Sequence, residues 1–180
     1  MSNAAASAAA ARSGDEPSLS ASAIVAKVVG SHILRIDGYS YTKGLGNSKF
    51  VTSEAFTVGG HRWCLKYYPD GSDKNYSDWV SVFLRLDHTN VDEVKAKFSI
   101  SLLDQDGNPV PYYTRHSGTC TFSLKQGANN AEWGYNDFIK RSDLEGSVYL
   151  KDDVFSVRCD VTVVNIFTKA IPVPAVRRGV

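Results

Sequence analysis

Four histidines, three cysteines and two aspartate pairs are the side chains of this 180-residue sequence best suited to ligating a metal, attacking a carbonyl or moving a proton. His32, His61, His88 and His116 lie about 28 residues apart, and none has a Cys, His or Glu at the short spacing from which a zinc site is built. Cys64, Cys120 and Cys159 stand singly inside strand-like runs, with no evident basic partner to draw off a thiol proton. They read as buried free thiols of a reducing compartment. Asp104 with Asp106, and Asp152 with Asp153, have the chemistry of an acid–base pair or a calcium site, but each pair sits at an expected turn, where Asp satisfies its own backbone. Gly44-Leu-Gly46-Asn-Ser-Lys49 lacks the glycine frame and the strand-to-helix setting of a phosphate cradle. No catalytic, cofactor or metal residue is therefore expected, and function is expected to rest on binding.

The elements that must carry a binding face are strands. Phe155, Val157, Cys159, Val161 and Val163 alternate with Ser156, Arg158, Asp160 and Thr162, a period of two that sends one set into a core and the other into water. Strand-like runs also cover Ser31–Tyr39, Val51–Val58, Arg62–Tyr68, Trp79–Leu86, Lys95–Leu103 and Cys120–Leu124. Gly59-Gly60, Pro69-Asp-Gly71 and Asp104-Gln-Asp-Gly-Asn-Pro109 punctuate them, leaving no room for a crossover helix between most neighbours. The pattern predicts an all-β, antiparallel β-sandwich. Tyr135–Leu144 reads as a short helix or turn. Residues 1–22, almost all Ala, Ser, Gly, Asp and Glu, carry too little apolar surface to offset the entropy of ordering and are expected to be disordered. The folded domain is expected over residues 23–167, followed by an extended linker or tail over 168–180 that contains Pro172 and Pro174.

Charge excludes two classes of partner. Twenty Lys and Arg stand against 19 Asp and Glu, which gives no electrostatic reason to bind nucleic acid or an anionic membrane. No apolar run approaches the roughly 20 residues that span a bilayer. The Met-Ser-Asn-Ala-Ala-Ala start does not resemble a secretory signal, so the expected location is cytoplasm or nucleus.

Gly60-His-Arg-Trp-Cys-Leu-Lys-Tyr-Tyr-Pro-Asp-Gly71, Trp79-Val-Ser-Val-Phe-Leu84, Val94-Lys-Ala-Lys-Phe98, Trp133-Gly-Tyr135, Phe138-Ile-Lys-Arg141, Leu150-Lys-Asp-Asp153 and Cys159-Asp-Val-Thr-Val163 together resemble a MATH domain, most closely those of plant MATH-BTB substrate adaptors. The resemblance runs in order over residues 28–167. It implies a TRAF-like fold of about eight strands, and capture of a short extended motif of a substrate protein while a BTB domain binds the cullin-3 scaffold of a ubiquitin ligase. No BTB-like segment lies in this sequence, so the domain alone is expected to be monomeric.

The family's groove, carried over by motif, falls on Phe83, Phe98, Glu132, Trp133, Gly134 and Tyr135, with Cys120 where the family has a tyrosine and Ala131 where it has a lysine. Residues 125–131 look longer than their counterpart. Together these departures imply a groove of similar position and altered preference.

The residues themselves weigh on the same positions. Val80, Val82, Leu84 and Leu86 define an apolar face of their strand, which puts Phe83 on the wetter face with Trp79, Ser81 and Arg85, as a partner contact or as a ring packed under the 125–131 loop. Phe98 alternates with Ala96, Ile100 and Leu102, which equally suits a core position. Trp133-Gly134-Tyr135, in polar surroundings, suits an aromatic ledge or a lid over the sandwich end. Trp63, Leu65 and Tyr67 read as core. Lys66, Lys95, Lys97, Arg85 and Arg158, mixed with Glu93, Asp87 and Asp160, read as a solvated face. Two other functions fit an aromatic-edged sandwich: carbohydrate binding, and a targeting domain cut from a MATH-containing ubiquitin protease.

Overall fold

The computed structural model describes residues 19–173, apart from the side chains of Ile166 and Phe167. Most of the segment expected to be disordered, and the end of the tail, lie outside those residues. Residues Val25–Phe167 form one compact unit, and the described residues 19–24 and 168–173 fall to a second. The sandwich is the first of them.

Its elements in order are β1 (Ala21–Asp37), α1 (Tyr39–Thr42), β2 (Val51–Thr52), β3 (Phe56–Val58), β4 (His61–Tyr68), β5 (Trp79–His88), β6 (Val94–Leu103), β7 (Pro109–His116), β8 (Cys120–Phe122), β9 (Glu132–Lys140), α2 (Arg141–Glu145) and β10 (Val154–Ile171). One sheet runs β1-β10-β6-β7 with β8 also on β6; the other runs β2-β4-β5-β9 with β3 also on β4. The β4–β5 and β6–β7 pairings are antiparallel, as their short connections require, and β5–β9 and β6–β10, between strands far apart in the chain, are antiparallel too.

The core is what alternation selects. Trp63, Leu65 and Tyr67 of β4 and Val80, Val82, Leu84 and Leu86 of β5 join Phe98, Ile100 and Leu102 of β6 and Phe155, Val157, Cys159, Val161 and Val163 of β10 in one buried cluster. Removing each such side chain from water contributes about 1.5 to 3 kcal/mol.

Three elements differ from the sequence expectation, each for a physical reason. β1 begins at Ala21 rather than Ser31; its neighbour β10 is 18 residues long and offers a ladder to a stretch whose own alternation is irregular. β7 goes unmarked because Pro109 and Pro111 interrupt its pattern. It ends its sheet, where a missing N–H donor is tolerated. Residues 135–140 are strand, and the helix is confined to Arg141–Glu145. A register shift opposite Val80 and Val82 lets the consecutive Phe138 and Ile139 both turn inward, which hides the period of two.

The connection after α1 is tied down by a buried carboxylate. Asp70 accepts hydrogen bonds from the backbone N–H of Gly44 and Gly46 and pairs with Arg141 at 3.0 Å. The Asp104 turn is self-contained, its carboxylate accepting from the N–H groups of Asp106 and Asn108.

Two predictions arise from this packing. His61 is buried, 3.0 Å from the Thr89 hydroxyl and edge-on to Trp63. Burial pushes its imidazole below the ordinary value of 6.5, as it does for His32, which stacks on Phe56 at 4.4 Å. Folding thus favours the neutral rings, and the unfolded chain takes up protons first. This contribution is fully present above about pH 6.5 and is lost as pH falls through the folded values. Denaturant midpoints measured down to about pH 5 should fall, and His61→Gln should make the fall shallower. The second concerns Cys64, Cys120 and Cys159, which are free; burial pushes all three thiols up. Thermal melts with and without a thiol reductant should therefore superimpose, and a drop of several degrees with reductant would contradict the free-thiol assignment.

Candidate functional site

Among the described residues β9 is the end strand of its sheet: β5 covers one side of it, and no strand of that sheet pairs with the other. Antiparallel pairing sets Arg85 opposite Glu132, Phe83 opposite Gly134, Leu84 opposite Trp133 and Val82 opposite Tyr135. Since side chains alternate, Glu132 and Gly134 share the outer face with Phe83 and Arg85, while Trp133 and Tyr135 lean towards the other sheet.

On that inner side Trp133 stands 43% exposed while its indole N–H donates to the Thr121 carbonyl at 2.9 Å. The bond holds the ring as a fixed ledge across the mouth between β9 and β8. Tyr135 packs against Phe98 with ring centres 6.0 Å apart, and Phe98 meets Phe122 at 6.3 Å. Phe98 itself is only 5% exposed, so it forms the floor under Tyr135 rather than an open wall. Cys120 is half-buried, its thiol 3.8 Å from the Gly118 carbonyl. Burial pushes the Tyr135 hydroxyl up and the nearby Cys120 adds to the shift. That hydroxyl is buried and has no hydrogen-bond partner among the described residues.

On the outer side the Phe83 ring lies across Gly134. A Cβ added at Gly134 would meet the Val82 carbonyl oxygen and stand 2.7 Å from Phe83 Cγ, so only glycine admits the ring at this position. Phe83 meets Tyr68 edge-on at 5.6 Å, and Tyr68 meets Phe50 at 5.3 Å, forming a row of three aromatics. Glu132 is held by Lys66 Nζ at 2.8 Å and by Arg85 at 3.1 Å.

The seven positions carried over from the resemblance thus fall on two sides of one edge strand. Phe83, Glu132 and Gly134 line the outer side, and Phe98, Cys120, Trp133 and Tyr135 the inner. Phe50, Tyr68, Lys66 and Arg85 join them without having been marked as site residues. For three of them the sequence signal is parity, Lys66 and Tyr68 being two apart on β4 and Arg85 two from Phe83 on β5, while Phe50 precedes β2 and carries none.

A hollow of about 330 Å³ lined by Lys43, Asp78, Lys140, Arg141, Ser142 and Glu145 is elsewhere. Two of its cations are paired, Lys43 with Glu145 at 2.6 Å and Arg141 with Asp70. Among the described residues no group of three His, Cys, Asp or Glu could hold a metal ion, and no helix is long and apolar enough to cross a membrane.

An antiparallel sandwich that frames an open strand edge with aromatic rings and paired charges is the anatomy of a peptide-recognition module. The chain matches the MATH domain family over residues 31–161 and belongs to it. MATH domains are non-catalytic modules of protein–protein interaction. Similar relatives include BTB/POZ and MATH domain-containing protein 4 of Arabidopsis thaliana, 38% identical over 82% of this chain and 32% of that protein. Protein 6 of the same series and organism is 41% identical over 75% of this chain and 33% of its own length. The chain spans about a third of the length of the curated relatives it matches. TRAF5 of Notothenia coriiceps is similar with a TM-score of 0.48 and 19% identity, over 81% of this chain and 74% of that chain.

Proposed function

We propose that this domain captures a substrate protein by adding an extended segment of it to the open edge of β9, with side chains seated on the Trp133–Tyr135 ledge and against Phe83. The observation that carries the reading is the end position of β9 between those two aromatic surfaces. Strand addition supplies main-chain hydrogen bonds without regard to sequence, and the flanking rings supply selectivity. For so short a motif the affinity is on the order of micromolar, and dimerisation elsewhere in a full-length protein raises it by avidity.

The BTB-containing relatives support a further step. In a protein organised like them, the BTB domain dimerises and engages cullin-3, and this domain chooses what is ubiquitinated, in the cytoplasm or the nucleus. The test is affinity capture from source-cell extract with the domain and with its Phe83→Ala, Trp133→Ala double variant, scored by mass spectrometry, followed by titration of the captured protein's segments. Proteins retained by the parent and lost from the double variant support the reading. An identical set on both rejects the groove.

A further inference from the structure

We infer that the outer side of this groove selects an acidic side chain on the captured segment, that Arg85 reads it, and that an apolar ligand residue lies two positions away against Phe83. The inference rests on the recognition role proposed above and adds the ligand's chemistry.

The charges facing this surface do not cancel. From β4 comes Lys66, from β5 Arg85 and from β9 Glu132: two cations against one carboxylate. The next charge along β5, Asp87, is matched by Arg62 at 3.3 Å, and beyond Tyr68 the Asp70 carboxylate is matched by Arg141. A single positive charge is left over beside three aromatic rings.

The two cations are not equally available. The Lys66 side chain is 12% exposed; its ammonium lies 2.8 Å from Glu132 and 4.0 Å above the centre of the Phe50 ring. Arg85 is 38% exposed and, among the described residues, makes one side-chain hydrogen bond, from Nη1 to Glu132. A guanidinium carries five N–H donors in a planar fork suited to a carboxylate, and most of these remain unspent. An incoming carboxylate brings the cluster to two cations and two anions, so its repulsion from Glu132 is offset by both neighbours.

Register fixes the spacing. Phe83 opposite Gly134 and Arg85 opposite Glu132 are consecutive positions on one face, about 6.8 Å apart along the strand. A ligand strand added beside β9 has the same period, so residues facing the same way recur at every second position. The motif read is therefore an apolar residue and an Asp or Glu with one residue between them.

A phage-displayed random decapeptide library panned on the domain tests this. Enriched sequences should pair an apolar residue with Asp or Glu two positions away. Replacing that acid by Ser in a synthetic peptide, or Arg85 by Gln, should each weaken binding about tenfold, and the two changes together should cost no more than either alone. Panning on Arg85→Glu should move the preference at that position to Lys or Arg. Denaturant midpoints of both variants should match the parent, which separates a lost contact from a lost fold. The inference is overturned if enriched peptides show no acidic position, if they keep it on Arg85→Glu, or if only a phosphoserine at that position binds. Peptides that depend on Trp133 but ignore Arg85 leave the recognition role standing and remove the charge reading. Peptides indifferent to both Phe83 and Trp133, or no enrichment at all, remove both.

Discussion

Trp63→Ala should lower the unfolding free energy by about 3 to 5 kcal/mol, the range for an aromatic truncated in a well-packed core. The side chain is fully buried, meets Phe122 edge-on at 5.0 Å and donates its indole N–H to the Val58 carbonyl at 3.1 Å. The truncation leaves a cavity between the sheets and removes the side-chain bond to the Val58 carbonyl where β3 meets β4. A domain of this size is stable by about 5 to 15 kcal/mol, so the loss is a large share of the whole. Urea titration of the variant should show a much lower midpoint with an unchanged slope. A midpoint within experimental error of the parent would mean that Trp63 is not the centre of the core.

Phe83→Ala and Trp133→Ala should show the opposite partition, each weakening capture of the bound segment by about 2 kcal/mol or more, some thirtyfold, as expected of a central aromatic in a recognition surface. Their stability costs should differ from each other. Trp133 is 43% exposed, and its truncation should cost about 1 kcal/mol, mostly from the bond to Thr121. Phe83 is half-buried against Gly134 and Tyr68, so its truncation should cost more, about 1 to 2 kcal/mol. Denaturant melts paired with binding titrations separate the two effects. If either variant binds as tightly as the parent, or unfolds as readily as Trp63→Ala, its place in the groove is wrong.

Much of the sandwich was legible because alternation is a local signal. Five inward residues from Phe155 to Val163 and four from Val80 to Leu86 suffice to orient β10 and β5. Legibility failed where a strand's reason lay outside itself. The prolines of β7 are tolerated only because that strand ends a sheet, and Phe138 beside Ile139 is a strand pattern only in the presence of the register shift across from it. For the site, Trp133 and Tyr135 stood out as aromatics in polar company, and Phe83 as an aromatic on the wet side of its strand. Phe50, Tyr68, Lys66 and Arg85 could not be gathered around them in advance. What unites them is the pairing of β4 with β5 and of β5 with β9, whose register no single segment encodes. Phe98 shows the converse: its alternation with Ala96 and Ile100 marked it as core as readily as groove, and it lies beneath Tyr135 as the floor of the site.

The central claim is that a ligand strand completes the sheet at β9. Amide hydrogen exchange of the domain, alone and saturated with a segment obtained by capture, tests it most directly. Exchange should slow on binding at residues 131–137, with little change at β1, the end of the other sheet away from β7. Unchanged exchange across β9 together with new protection along β1 would place the partner on the other sheet and contradict the claim.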